Sequence, residues 1–256
     1  MKATVSALVI GALAISAWPV QSTADVIIPP DTYTVTGEFE YRSEYVFRGD
    51  KFGGHTVLPS LELRSQGLHF GDFYGGGTVI TPLRGRGSPD DGTLNGNELN
   101  FYAGLDAELR PNVFLDIGGN FYVFPQMGTQ DSVEPFVGLR AEEIGGTGLG
   151  VNGYFFWDIE RSAVFEVGAD YGIPLDPAGH GSLELSGTIG WVDETRILEE
   201  DQFYYGVSVT LPYRLSEVTT ARVGGHFDGR FDGDGQAGRS TSREFLYWAA
   251  SVDMAF

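Results

Sequence analysis

Residues 33–48 read YTVTGEFEYRSEYVFR, and the alternation inside this stretch decides the fold. Odd positions carry Tyr33, Val35, Gly37, Phe39, Tyr41, Ser43, Tyr45 and Phe47. Even positions carry Thr34, Thr36, Glu38, Glu40, Arg42, Glu44, Val46 and Arg48. A strand sends successive side chains to opposite faces, so the stretch predicts one strand with an aromatic face and a charged face. It is long for a strand of a soluble sandwich, which usually runs about 5–6 residues.

The same pattern recurs downstream, with turn signals between. Val57, Pro59, Leu61 and Leu63 alternate with Thr56, Ser60, Glu62 and Arg64. Residues 69–81 are glycine-rich, and Asp72 beside Phe73 predicts a bulge there. Leu99 to Leu109, Val113 to Val123, Val133 to Ala141, Leu149 to Ile159, Ala163 to Ile173 and Leu183 to Trp191 each place apolar side chains two apart. So do Phe203 to Tyr213, Ala221 to Phe227 and Leu246 to Phe256. The count is twelve strands. Connections after the even-numbered strands are short, at 66–67, 110–112, 145–146, 176–181 and 214–216. Most of the others are longer and more polar, above all 84–97 and 229–242. An even strand number, short turns at one end and long loops at the other predict an all-β fold, a closed antiparallel transmembrane β-barrel with up-and-down topology.

Composition supports that class. Residues 1–24 hold a single charge, Lys2, then an apolar run from Ala3 to Trp18 and the small residues Ser22, Thr23 and Ala24. This is the pattern of a secretory signal peptide, and it assigns residues 25–256 to the barrel. Taking Lys2 from the formal charge of −19 leaves −20, which argues against nucleic acid as a partner. With no cysteine, neither a disulfide nor a lipid anchor on cysteine is available. The 37 glycines and 13% aromatic residues suit a barrel whose alternating faces cancel in any windowed hydropathy average. The chain ends on Phe256, with apolar positions stepping back by two to Trp248. That ending resembles the signature through which the barrel-assembly machinery recognises its substrates.

In such a barrel the polar phase faces the lumen. The expected lumen-lining residues are Glu38, Glu40, Arg42, Glu44, Arg48, Glu62, Arg64, Glu98, Asp106, Glu108, Asp116, Glu134, Arg140, Asp158, Glu166, Asp170, Glu184, Arg222, His226 and Asp228. Lumen charges either brace the wall in pairs or line a path for solutes. Arg42 opposite Glu62, with Glu40 opposite Arg64, is the expected register of the first hairpin, because a slip by two sets like charges together. The surplus of acids predicts a preference for cations in any open pore.

Other chemistry finds less support. A lipid-facing hydrolase needs a hydroxyl within reach of an imidazole. The turn at 214–216 predicts Ser208 opposite Arg222, leaving His226 only a diagonal neighbour. His55, His69 and His180 have no partner at metal-ligand spacing. Asp228 to Gly235 superficially resembles a calcium loop, but Gln236 and Arg243 occupy ligand positions of the EF-hand pattern, leaving only an irregular loop site open. No cofactor and no metal is expected.

The run Tyr41-Arg-Ser-Glu-Tyr45-Val-Phe47-Arg48-Gly49 resembles the Ser-x-Tyr-Val-Phe-Arg-Gly signature near the mature N-terminus of the TorF-like porin family. That resemblance implies an outer-membrane barrel with a porin-like role and supplies no catalytic residue. The expectation is therefore a passive channel for small polar or cationic solutes, exported by the Sec route to the outer membrane of a Gram-negative bacterium. Its expected partners are membrane lipid, the assembly machinery through Phe256, and the solutes themselves. The alternative is a closed structural or adhesive barrel that binds a partner through loops 84–97 and 229–242.

Overall fold

The computed structural model describes residues 33–65, 71–83, 96–125, 131–159, 162–193, 201–232 and 243–256. The expected signal peptide at 1–24 and the tight turn at 66–67 lie outside these residues, as does nearly all of the acidic loop after Asp232. The strands are β1 (Tyr33–Arg42), β2 (Tyr45–Phe47), β3 (Asp50–Gly53), β4 (Thr56–Ser65), β5 (Asp72–Pro82), β6 (Glu98–Arg110) and β7 (Val113–Val123). They continue with β8 (Ser132–Ala141), β9 (Leu149–Trp157), β10 (Ala163–Pro174), β11 (Ser182–Asp193), β12 (Asp201–Arg214), β13 (Thr219–Asp232) and β14 (Arg243–Ala255). Twelve of them close into an antiparallel barrel in which β1 pairs with both β4 and β14. Strands β2 and β3 form a separate two-stranded sheet.

The first strand therefore differs from expectation. It ends at Arg42 rather than Arg48. Ser43 closes it against β14, its N–H donating to the Trp248 carbonyl at 2.9 Å while its Oγ accepts the Trp248 N–H at 3.0 Å. The chain then leaves the wall, and residues 45–53 make their own hairpin. This shifts the register of β1 against β4. Thr36, not Arg42, lies opposite Glu62, and Thr34, not Glu40, lies opposite Arg64. The connection at 43–55 contains a whole hairpin, so charge pairing across the strands does not set the register.

The second correction concerns β5. It pairs with β4 and β6 without a register shift. Asp72 lies opposite Asp106 on one face, while Phe73 is half exposed on the other, so simple alternation accommodates both. The irregularity sits instead between Glu108 and Arg110 in β6, beside the turn at Asn112, whose φ of 63° is left-handed.

Val35 and Phe256 exchange backbone hydrogen bonds at 3.0 and 2.9 Å, so the start of β1 and the end of β14 lie at one rim, the terminal end. The short connections 111–112, 142–148, 175–181 and 215–218 share that rim. The opposite rim, the loop end, carries 43–55 and the longer connections, with 158–162 as the short exception. Large apolar side chains, among them Phe39, Leu61, Phe101, Phe165, Ile189 and Leu246, stand exposed on the outside of the wall. So extensive an apolar exterior is one that a barrel turns to hydrocarbon and that water-soluble monomers do not carry.

Candidate functional site

The lumen wall is built on a recurring device. Tyr74 donates to Asp116 at 2.6 Å, Tyr154 to Asp116 at 2.9 Å, Tyr102 to Glu62 at 3.0 Å and Tyr204 to Glu166 at 2.6 Å. Each of these bonds skips a strand: β5 to β7, β9 to β7, β6 to β4 and β12 to β10. Only the concave side of a curved wall allows such a chord, so all seven groups face inward. In each case the cross-strand partner of the tyrosine on the intervening strand is a glycine, namely Gly104, Gly138, Gly76 or Gly190. A Cβ at any of the four would run into the tyrosine ring lying over it. The glycine lets the ring lie flat, and the flat ring carries its hydroxyl to the carboxylate beyond.

Arginines complete the bracing. Arg42 forms a two-pronged pair with Glu40 on its own strand, at 2.8 and 2.9 Å. Arg64 reaches Glu62 at 3.3 Å and Asp106 at 3.2 Å, and Arg140 also pairs with Asp106. Arg222 pairs with Asp253 of β14. Glu98 is buried and takes a hydrogen bond from Asn100. Glu108 accepts the Asn112 N–H at 3.3 Å at the terminal rim. Glu38 lies opposite Ser60 on one side and Asp253 on the other.

Three residues expected on the barrel strands lie off them. Glu44 sits at the bend after β1 and pairs with Lys51 at 2.7 Å. Asp158 lies past the end of β9 and accepts the Ser132 hydroxyl at 2.8 Å. Arg48 is at the tip of the β2–β3 hairpin, and this hairpin is inside the barrel. At its base Tyr45 and Phe52 pack on Leu58 and Ile80, the inward residues of β4 and β5. At its tip Arg48 makes a two-pronged pair with Glu134 of β8, at 2.6 and 3.1 Å. The same guanidinium lies over the rings of Phe47 and Phe156, at 4.8 Å from each centroid. Asn120 and Tyr122 also donate to Glu134, at 3.1 and 3.0 Å, so this carboxylate is fully satisfied with its side chain 2% exposed. On the far side Asp50 pairs with Arg230 of β13, and Gln202 of β12 donates to the Arg48 carbonyl at 3.3 Å. Val164, Val192 and Tyr204 form a second buried cluster, with Phe156 packed against it.

The terminal half of the β8–β12 wall is different. It encloses a cavity of about 720 Å³ lined by Arg140, Asn152, Asp170, Glu184, Ser186, Ser208 and Thr210 among others. Asp170 and Glu184 are both exposed to water there. Inward positions nearby are small, including Gly150 and Gly172.

Ser208 lies directly opposite His226, correcting the expected Ser208–Arg222 register, because the β12–β13 turn is centred later, at 215–218. No hydrogen bond joins the two. Ser208 Oγ lies 2.7 Å from Ser186 Oγ, and the His226 ring stacks on Tyr247, whose hydroxyl donates to Asp228 at 2.6 Å. Among the described residues no three His, Asp or Glu side chains gather as a metal cage.

Reading the sequence missed the inward tyrosines Tyr74, Tyr102, Tyr122, Tyr204 and Tyr247, and it missed Asp50, Arg230 and Asp253. The alternation of each strand already carries the signal for most of them. Tyr102 falls between Phe101 and Ala103, and Asp253 between Val252 and Met254, all four flanking residues belonging to the outward phase.

No protein-family model matches the chain, and no curated protein matches it. The resemblance to the TorF-like family thus rests on the motif at 41–49. Among solved structures, the chain is similar to the KdgM porin at 11% identity, covering 86% of this chain and 99% of that one with a TM-score of 0.55. A KdgM porin in complex with disordered oligogalacturonate matches at 10% identity and a TM-score of 0.53, over 87% of this chain and 99% of that one. The NanC porin in a rhombohedral crystal form matches at 14% identity and a TM-score of 0.51, over 86% and 98%. At such identities the likeness is one of architecture: this chain has the barrel fold that those porins have.

Proposed function

We propose that the chain is a porin-like outer-membrane channel that passes small polar solutes and prefers cationic ones. Asp170 and Glu184, water-exposed carboxylates on the wall of a 720 Å³ cavity, carry this reading. Carboxylates lining an aqueous path stabilise a passing cation and raise its local concentration. They oppose a polyanion such as the oligogalacturonate in the KdgM complex, so on this reading the shared architecture serves a different cargo.

The rest of the proposal follows from the same reading. The chain is exported by the Sec route to the outer membrane of a Gram-negative bacterium. It belongs with the TorF-like porins through its 41–49 motif, sits in lipid by its apolar exterior, and is delivered to the assembly machinery by Phe256. No catalytic role is proposed for it: the Ser208 hydroxyl is bonded to Ser186 and the His226 ring is stacked on Tyr247. Purified protein in a planar bilayer under a KCl gradient tests the proposal. Conductance with a cation-selective reversal potential is expected; no conductance, or anion selectivity, overturns it.

One observation favours a second reading, a closed structural barrel whose external loops at 84–97 and 229–242 bind a partner. The lumen at the loop end is packed with the chain's own side chains. The same bilayer experiment separates the two readings, because a closed barrel conducts nothing.

A further inference from the structure

We infer that the β2–β3 hairpin is the constriction of this channel, and that Arg48 holds it in place and so sets the size of solute admitted. The inference rests on the channel reading. Three observations lead to it.

The hairpin crosses the lumen instead of covering it. Its base rests on β4 and β5, and its tip touches β7 to β9 on one side and β12 to β13 on the other. A Cβ added at Gly49 would sit 2.7 Å from the Gly229 carbonyl and 2.9 Å from the Cβ of Tyr204. The tip is thus pressed against the far wall, and solute must pass beside the hairpin, at its flanks.

The turn chemistry singles out the Arg48 side chain. Arg48 and Gly49 have φ of 49° and 76°, the pattern of a two-residue type I′ turn, for which Asn-Gly is the favoured pair. Arginine is a poor choice for the first position, because a Cβ there crowds the backbone. What arginine adds is reach: its guanidinium lies between two rings and is clamped by Glu134.

The tip is held by polar links, the ion pairs Arg48–Glu134 and Asp50–Arg230 and two hydrogen bonds from Gln202, to the Arg48 carbonyl and the Asp50 carboxylate. The buried apolar cluster lies at the base, where Tyr45 and Phe52 pack on Leu58 and Ile80, and at the tip Phe47 meets the Tyr122 ring and the Arg48 guanidinium. Replacing Arg48 or Glu134 therefore loosens the tip while the base stays seated.

The test compares single-channel conductance, and the exclusion of polyethylene glycols of graded size, across four proteins: wild type, Arg48→Asn, Glu134→Gln, and a variant in which a Gly-Ser-Gly link replaces residues 45–53. Arg42 and Thr56 lie directly opposite each other, so a short link spans the gap. Heat-modifiable gel mobility establishes that each protein is folded. The link variant is expected to conduct several-fold more than wild type and to admit larger polymers, with Arg48→Asn and Glu134→Gln moving the same way by less. A silent wild type beside a conducting link variant also supports the inference, with the hairpin then a complete stopper. If wild type conducts and every folded variant matches it in conductance and size limit, the hairpin is not the constriction and the channel reading stands. If no folded protein conducts, the channel reading fails and the inference fails with it. Should the link variant not fold, the two point variants decide by the same comparison.

Discussion

Two regions of this barrel, the loop end around Glu134 and the β10–β11 wall towards the terminal end, treat their acidic residues in opposite ways. At the loop end Glu134 has no bonding capacity left: an arginine, an asparagine and a tyrosine all donate to it, and a hairpin lies across the lumen above it. Towards the terminal end, on the β10–β11 wall, Asp170 and Glu184 face water beside glycines and hydroxyls. Net charge therefore says little about selectivity here. A carboxylate held by a phenol or a guanidinium stiffens the wall, whereas one that keeps its hydration can exchange that water for a passing cation. Counting the acids along the inward faces mixes the two kinds.

The strongest challenge to this contrast is to remove one carboxylate from each region. Glu134→Ala leaves the Arg48 guanidinium buried without its partner, which costs about 3–5 kcal/mol of stability for a pair of this kind. Glu184→Ala removes an exposed group and is expected to stay within about 0.5 kcal/mol. Urea unfolding of both variants in lipid vesicles measures the difference. Equal effects would show that the two regions are not energetically distinct.

Tyr204→Phe deletes the hydroxyl that donates to Glu166 at 2.6 Å. A hydrogen bond to a charged group is worth about 1.5–3 kcal/mol, and the same unfolding assay should register a loss in that range. Glycines give a paired contrast of similar size. At Gly190 a Cβ would strike the Tyr204 ring, and Gly190→Ala should destabilise by about 1–3 kcal/mol. At Gly172, on the cavity side, an added Cβ meets nothing within 4 Å, and Gly172→Ala should cost less than about 0.5 kcal/mol.

How much of this was legible beforehand follows from what alternation can and cannot encode. Period two places each residue on one of two faces, and from β4 onward the inward and outward sets follow it. It says nothing about whether an extended segment stays in the wall. Tyr45 and Phe47 continue the aromatic phase of β1 without a break, yet they turn inward with the hairpin, because a strand with both faces in a packed lumen alternates just as a membrane strand does. Register was hidden for a related reason, since the content of residues 43–55 decides it. The inward tyrosines were passed over because tyrosine is amphipathic and suits the lipid interface as well as a polar lumen. Their role rests on a glycine one strand away and a carboxylate two strands away, a relation that appears only once strands are in register.

The smallest expected effect lies outside the lumen, in the 175–181 turn. The Asp176 carboxylate accepts N–H bonds from Gly181, His180 and Ala178 at 2.7, 3.2 and 2.8 Å, and these hold its pKa below the ordinary aspartate value. A depressed pKa contributes order that is fully present above the unfolded value near about 3.9 and is lost as pH falls through the folded one. Amide exchange at Ala178, His180 and Gly181 should speed up on acidification and be insensitive to pH in Asp176→Asn, once intrinsic exchange rates are corrected for.

Cation preference in this channel is assigned to the exposed carboxylates Asp170 and Glu184. The most direct measurement is the reversal potential under a KCl gradient for wild type and for the double variant Asp170→Asn/Glu184→Gln. A cation-selective wild type is expected, with a double variant that still conducts but has lost much of that preference. An unchanged reversal potential in the double variant would contradict that assignment, because the exposed carboxylates of the hollow wall would then play no part in choosing what passes.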